Sequence, residues 1–253
     1  MKTLRAFLYN IAFFAGSGLL VTIALPLIFG PRRWTNALAH TWTWSMFTLL
    51  KLIVGLDYEV RGRENLPPGP AILAMKHQSA WDTMAIFALF DDPAVVLKRE
   101  LWLIPVFGWF LRRHGTIAID RHGKAAALKK LVADAEKAKA AGRPIVIFPE
   151  GTRGPVGTML PYQPGVAALY KQLNVPMVPI ALNSGLYWGR RTFMKRPGKV
   201  LVQILPPIPA GVDRRKVMAQ LQHDIETATN ALLAEAGWEK PVENSVDQLA
   251  PSR

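Results

Sequence analysis

Two residues in the stretch Lys76-His77-Gln78-Ser79-Ala80-Trp81-Asp82-Thr83 could together move a proton. An imidazole titrates near neutrality and is the commonest general base. A carboxylate on its second nitrogen holds one tautomer and stabilises the imidazolium as it forms. The spacing limits how the two can meet. On a regular helix, side chains five residues apart stand about 140° apart around the axis. The pair can therefore touch only if His77 lies in a turn leaving a strand and Asp82 lies near the start of the following helix. The apolar run at residues 71–75 supplies that strand, and strand ends are where α/β folds place their sites.

A second group of residues has the chemistry of anion binding. In Phe148-Pro149-Glu150-Gly151-Thr152-Arg153-Gly154, Gly151 permits a tight turn whose backbone N–H groups can approach an anion. Thr152 adds a hydroxyl, and Arg153 adds a forked, permanently charged donor suited to a phosphate. Glu150 is the odd member. In an anion pocket it must accept a bond from a substrate hydroxyl or hold an arginine in place. Arg121 closes the strand-like residues 115–121, where it could converge with Arg153 on one phosphate or simply pair with Asp120. Lys98 and Arg99 make a further cationic strand end. Between residues 98 and 130, eight Lys or Arg stand against two acids, the charge pattern of a phosphate funnel or an anionic membrane footprint.

These residues need a scaffold with several strand ends on one side. Short apolar runs occur at residues 71–75, 94–97, 116–119, 145–148, 177–182 and 199–205, with helical stretches between several of them. The clearest helix is the Ala/Lys-rich segment 123–141, stopped by Gly142; another amphipathic one runs over 213–236 with Asp213 as its N-cap. This alternation predicts an α/β fold with a mixed, largely buried sheet flanked by helices.

Upstream of that domain, residues 6–31 carry no charge, long enough as a helix to cross the hydrocarbon of a bilayer. Leu25 and Pro26 after Ala24 make a poor signal-peptidase site, so a retained hydrophobic anchor is the expectation. Lys2 and Arg5 precede the run and Arg32 and Arg33 follow it, so flanking charge gives no orientation. A second uncharged run, 34–50, holds Trp34, Trp42 and Trp44 among polar residues and fits an interfacial helix better than a span, or else a buried helix of the soluble domain. The turn-rich residues 59–70 mark a boundary. The expected organisation is membrane-anchoring helices at 1–56, the α/β domain at 57–236 and a loose polar tail at 237–253.

Composition narrows the function. The 253 residues include 31 Lys+Arg against 18 Asp+Glu, a net charge of +13, yet half are hydrophobic and the mean hydropathy is +0.14. Cationic and apolar together favour a membrane surface over nucleic acid, for which no aromatic-and-basic stripe is present. The absence of cysteine removes disulfides, thiolate metal sites and cysteine nucleophiles. No G-x-S-x-G, H-E-x-x-H, G-x-x-x-x-G-K-[ST] or G-x-G-x-x-G occurs, so serine hydrolysis, zinc-helix chemistry, nucleotide hydrolysis and hydride transfer lack support.

Taken in order, the segments resemble the glycerolipid acyltransferase family, in particular bacterial 1-acylglycerol-3-phosphate acyltransferases. His77 to Asp82 looks like the family's H-x4-D motif, residues 115–121 like its second block, Phe148 to Arg153 like its F-P-E-G-T-R block and residues 175–180 like its fourth, apolar-proline block. Lys98, Glu100 and Leu101 resemble a K-x-E-L segment. The resemblance implies direct acyl transfer. His77, oriented by Asp82, would deprotonate the sn-2 hydroxyl of lysophosphatidate. The alkoxide would attack the thioester of acyl-CoA or acyl carrier protein, yielding phosphatidate with no metal, no cofactor and no acyl-enzyme. Arg121 and Arg153, with the Gly151 turn and Thr152, would grip the phosphate, with Glu150 as a substrate-hydroxyl or arginine partner and Lys98 as an outer contact. It also implies residence in a bacterial inner membrane with the site facing the cytoplasm. A sibling acceptor (glycerol-3-phosphate, another lysophospholipid or an ornithine-lipid precursor) and a non-enzymatic anionic-lipid-binding module are the alternatives. One departure stands out: the family commonly has Asn before the motif histidine, and here it is Lys76. That cation is expected beside the imidazole, keeping it neutral and adding pull on a phosphate.

Overall fold

The computed structural model describes residues 2–120 and 123–239. Seven strands form one sheet in the order β1-β7-β6-β2-β5-β3-β4. They are β1 (Leu56–Arg61), β2 (Ile72–Met75), β3 (Ala94–Lys98), β4 (Ile117–Ile119), β5 (Ile145–Ile147), β6 (Met177–Leu182) and β7 (Gly198–Ile204). β2 to β6 run parallel to one another. β7 is antiparallel to β6 and carries β1 parallel beside it. The C-terminal ends of β2, β3, β4, β5 and β6 therefore share one edge of the sheet.

The helices are α1 (Lys2–Ile23), α2 (Arg32–Leu49), α3 (Ala80–Leu89), α4 (Phe107–His114), α5 (Lys124–Ala140), α6 (Pro164–Leu173) and α7 (Arg214–Glu235). Strand alternation sorts the core into two layers. Leu73 and Met75 of β2 face one cluster with Trp81, Met84 and Ile86 of α3 and with Met46, Phe47 and Leu50 of the N-terminal helices. Ile72 and Ala74 face the other, with Leu131 of α5, Leu169 of α6 and Leu221 and Ile225 of α7. The six strands expected from apolar runs are all present, and Asp213 caps α7 by accepting bonds from the Arg215 and Lys216 amides.

β1 runs into the start of the stretch whose polarity suggested a boundary. Its partners Gly198 to Gln203 are far away in sequence, and that pairing, not its own pattern, makes it a strand.

α1 is long and apolar enough to cross a membrane by length and composition, and Leu4, Phe7, Leu8, Ile11, Phe14, Leu19 and Ile23 are exposed along it. A short 3-10 turn at Leu25–Phe29, with Pro26 in its first turn, reverses the chain into α2. The two helices run antiparallel, with Trp42 Nε1 donating to Ser17 Oγ at 2.9 Å and Met46 lying against Gly16. α2 is partly buried against the rest of the fold. Thr35, Thr43, Met46 and Phe47 are buried, while Trp34 and Trp44 remain exposed. Of the expected tail, residues 240–253 lie outside the described residues.

Candidate active site

β2 delivers the central residues, and strand geometry sends neighbours to opposite faces. His77 follows the Met75 side of the strand and Lys76 the Ala74 side. Ser79 then caps α3: its Oγ accepts from the Trp81 amide at 3.0 Å, and Asp82, third residue of the helix, reaches back to the Ser79 amide at 2.8 Å. This reciprocal capping box turns the Asp82 carboxylate toward the strand end.

Asp82 is fully buried and collects donors. Its Oδ2 accepts from His77 Nδ1 at 3.0 Å and from the Gln78 amide at 2.6 Å, in addition to Ser79; its Oδ1 accepts from the Ser184 hydroxyl. A carboxylate held this way receives the Nδ1 proton of His77, which leaves Nε2 with the lone pair of a base. The imidazole stacks on Phe148, ring centroids 3.8 Å apart and planes 15° from parallel, and keeps only a small opening to solvent. The structure thus brings His77 and Asp82 together across the strand–helix junction.

Phe148 begins the loop after β5, the strand beside β2. Gly151 has φ +66°, a left-handed conformation glycine adopts without strain, and its N–H donates to Phe148 O at 2.9 Å. That N–H is spent inside the turn, so Gly151 shapes the loop and does not donate to an anion. The Gly154 amide donates to His77 O at 2.9 Å, tying the loop to the histidine. Thr152 and Arg153 are half-buried, and among the described residues no hydrogen bond or ion pair engages either side chain.

Glu150 and Lys76 differ from expectation. Glu150 is buried, with Oε2 accepting the His77 amide at 2.9 Å and Oε1 accepting Lys76 Nζ at 2.7 Å. Both oxygens serve the protein, and among the described residues the partners are Lys76 and the His77 amide rather than an arginine. Lys76, 1% exposed, points away from the imidazole into the α7 layer. There it bridges Glu150 and Glu226, at 2.7 Å from Glu226 Oε1, and Tyr162 donates its hydroxyl to Glu226 at 3.1 Å. It neither flanks the ring nor lines the groove that holds Arg153. One ammonium between two carboxylates leaves surplus negative charge. Burial holds the Glu150 carboxyl above the usual carboxylate range, with Lys76 and the His77 amide only partly offsetting it.

The remaining expected residues lie farther along the edge. Lys98 is exposed at the end of β3, two strand positions from β2, or about 10 Å. Beside it Arg99 pairs with Asp120 at 3.1 Å. Arg121 lies outside the described residues. Ser184, Phe148 as a ring platform, Glu226 and Tyr162 escape sequence reading because each comes from another element. The orientation of Lys76 does have a sequence signal in the period-two alternation through residues 72–77.

A groove of about 660 Å³ runs beside the dyad, lined by Ala80 of α3, Arg153, one apolar face of α1 with Phe7, Ile11 and Phe14, and residues of the loop between β6 and β7. Neither dyad residue lines the groove; Ala80 and Arg153, neighbours of the dyad's helix and loop, do, and the groove pairs cations with an apolar wall, which suits an anionic amphiphile.

A family model described as Acyltransferase matches residues 57–183, which contain the dyad and the Gly151 turn. A 1-acyl-sn-glycerol-3-phosphate acyltransferase of Pseudomonas aeruginosa is 37% identical over 211 residues, covering 83% of this chain and 81% of that protein. One of Saccharomyces cerevisiae is 34% identical over 64% of this chain and 55% of its own length. The crystal structure of a 1-acyl-sn-glycerophosphate (LPA) acyltransferase from Thermotoga maritima superposes with a TM-score of 0.77 over 95% of this chain and all of that one, at 23% identity, which shows a shared fold. Motif order, family match and relatives agree: the chain belongs to the glycerolipid acyltransferase family and is an acyltransferase.

Proposed function

We propose that this enzyme transfers an acyl chain from acyl-CoA or acyl carrier protein to the sn-2 hydroxyl of lysophosphatidate, forming phosphatidate for phospholipid synthesis. The observation that carries the reading is the His77–Asp82 pair, 3.0 Å apart and set beside a groove that joins Arg153 to the apolar wall of α1. His77 Nε2 takes the hydroxyl proton while Asp82 steadies the imidazolium. The oxygen attacks the thioester carbonyl, the tetrahedral intermediate collapses, the C–S bond breaks, and the thiolate leaves with the proton from His77. Arg153 and Thr152 hold the phosphate and so place the hydroxyl, with Arg121 and Lys98 as further cationic contacts.

The same reading seats the enzyme on a bilayer, the inner membrane of a bacterium, with the site on the cytoplasmic face where thioester donors are made. The exposed apolar side of α1 and exposed Trp34 and Trp44 of α2 support it, as do exposed Phe107 and Trp109 on α4, whose neighbour Arg113 donates to Gly30 O at the hairpin tip.

The test is an acyl-transfer assay on purified enzyme with lysophosphatidate and glycerol-3-phosphate in competition, products identified by mass. Phosphatidate as the main product supports the assignment. Lysophosphatidate made from glycerol-3-phosphate, or acylation of only an amino-acid lipid, reassigns the acceptor.

A further inference from the structure

Lys195 sits in the loop between β6 and β7 and is 3% exposed. Its ammonium lies 4.6 Å from the ring of Trp188, 5.7 Å from Tyr9 and 5.9 Å from Phe193. It donates to Asn10 Oδ1 of α1 and to Phe193 O at 3.1 Å, both neutral acceptors. Among the described residues no carboxylate comes within ion-pair distance. An ammonium taken out of water without an anion is costly, and aromatic faces and neutral oxygens offset only part of that cost.

It faces a groove whose other charged groups are also cations. Lys195, Arg153 and Arg191 all line the groove beside α3; no acid lines it, and none of the three has a carboxylate partner among the described residues. Arg191 holds φ +55°, an uncommon conformation for a residue with a side chain. The opposite wall is Phe7, Ile11 and Phe14, all exposed. A cluster of cations at one side and an apolar helix face at the other match a molecule with one phosphomonoester and one alkyl chain. The volume, about 660 Å³, lies in the range of small-molecule sites.

We propose that Lys195, an aromatic-boxed cation outside the family motifs, binds the phosphate of the acceptor lysophosphatidate together with Arg153, with Arg191 at the rim and the acyl chain along α1. This rests on the acceptor assigned above and deepens it. Because Asn10 holds the same ammonium, the site is complete only when α1 is docked, which makes the N-terminal helix part of substrate recognition.

The experiment is steady-state acyl transfer in mixed micelles by wild-type enzyme, Lys195→Met, Lys195→Gln and Lys195→Arg, varying lysophosphatidate and acyl-CoA separately. It is paired with calorimetric binding of lysophosphatidate and of lysophosphatidylcholine, whose phosphate is a diester. Lys195→Met is expected to raise the lysophosphatidate KM about tenfold, with kcat within about twofold and the acyl-CoA KM unchanged. It should weaken lysophosphatidate binding while leaving lysophosphatidylcholine binding as in wild type. Lys195→Arg recovers most of the loss. Lys195→Gln, which keeps a donor to Asn10, repeats the KM effect if the methionine variant folds poorly. Wild-type KM in Lys195→Met or Lys195→Gln, or equal weakening of both lipids, overturns the proposal and leaves the acceptor assignment standing. Failure of the wild-type enzyme itself to acylate lysophosphatidate overturns both.

Discussion

Lys76 and His77 leave the end of β2 toward opposite layers of the molecule, and one carboxylate, Glu150, holds both: its Oε1 takes the lysine ammonium and its Oε2 the histidine amide. The histidine is thereby fastened through its backbone to a charge network on the far side of the sheet, where Glu226 of α7 joins Lys76.

Removing the lysine leaves two carboxylates facing each other in the interior. Lys76→Met is expected to cost about 3–5 kcal/mol of stability, the usual penalty for orphaning one side of a buried ion pair. Glu226→Gln removes the surplus negative charge while keeping an acceptor, and is expected to stay within about 1 kcal/mol of wild type. Urea denaturation of the two variants under the same conditions checks the asymmetry; equal losses would mean that Lys76 pairs with both acids independently.

Asp82→Asn keeps the size of the side chain and removes its charge. An amide cannot accept from His77, Gln78, Ser79 and Ser184 together, so the imidazole loses its enforced tautomer. A fall in kcat of roughly 10³–10⁴-fold is expected, with lysophosphatidate binding retained in a calorimeter. A tenfold effect or less would mean that His77 is held chiefly by Phe148.

Ser184→Ala strips one donor from the same carboxylate. Leaving Asp82 Oδ1 without that donor in a buried site is expected to cost about 1–3 kcal/mol of stability. The matching fall in kcat should be smaller than for Asp82→Asn. Thermal unfolding and kcat measured on the same preparation test it.

Burial lowers the Lys195 pKa to about 8. Tyr9 and Asn10 face it from α1, Arg153 from the loop after β5 and Arg191 from its own loop. As pH rises through about 8 the unliganded ammonium loses its proton, so the lysophosphatidate KM is expected to climb above that pH in wild type and to stay flatter in Lys195→Met. Folding shows the opposite trend. In the unfolded chain a lysine titrates near ~10.4, so between about 8 and ~10.4 the unfolded state binds more protons and this group adds stability as pH rises. Parallel pH series of KM and of denaturation midpoint check both signs.

Local signals in the sequence carry much of the catalytic centre. The five-residue spacing of His77 and Asp82 admits contact only across a strand–helix junction, and that is where they meet. Gly151 is legible as a turn residue because only the chain's own geometry is involved. The role of Glu150 is not, because its charge partner Lys76 is 74 residues away and Glu226 is farther still. β1 is hidden for a related reason: Leu56–Arg61 mixes charges with apolar residues and becomes a strand only against β7. The groove is the least legible part, since Asn10, Arg153 and Lys195 come from three distant segments whose meeting depends on how α1 packs.

The most direct measurement is the turnover number of His77→Ala against wild type, with labelled acyl-CoA and lysophosphatidate, alongside lipid binding by both proteins. The account predicts a loss of at least about 10³-fold in kcat with lysophosphatidate and vesicle binding preserved. Turnover within tenfold of wild type by a properly folded His77→Ala enzyme would contradict it, because the proton would then be leaving the acceptor by another route.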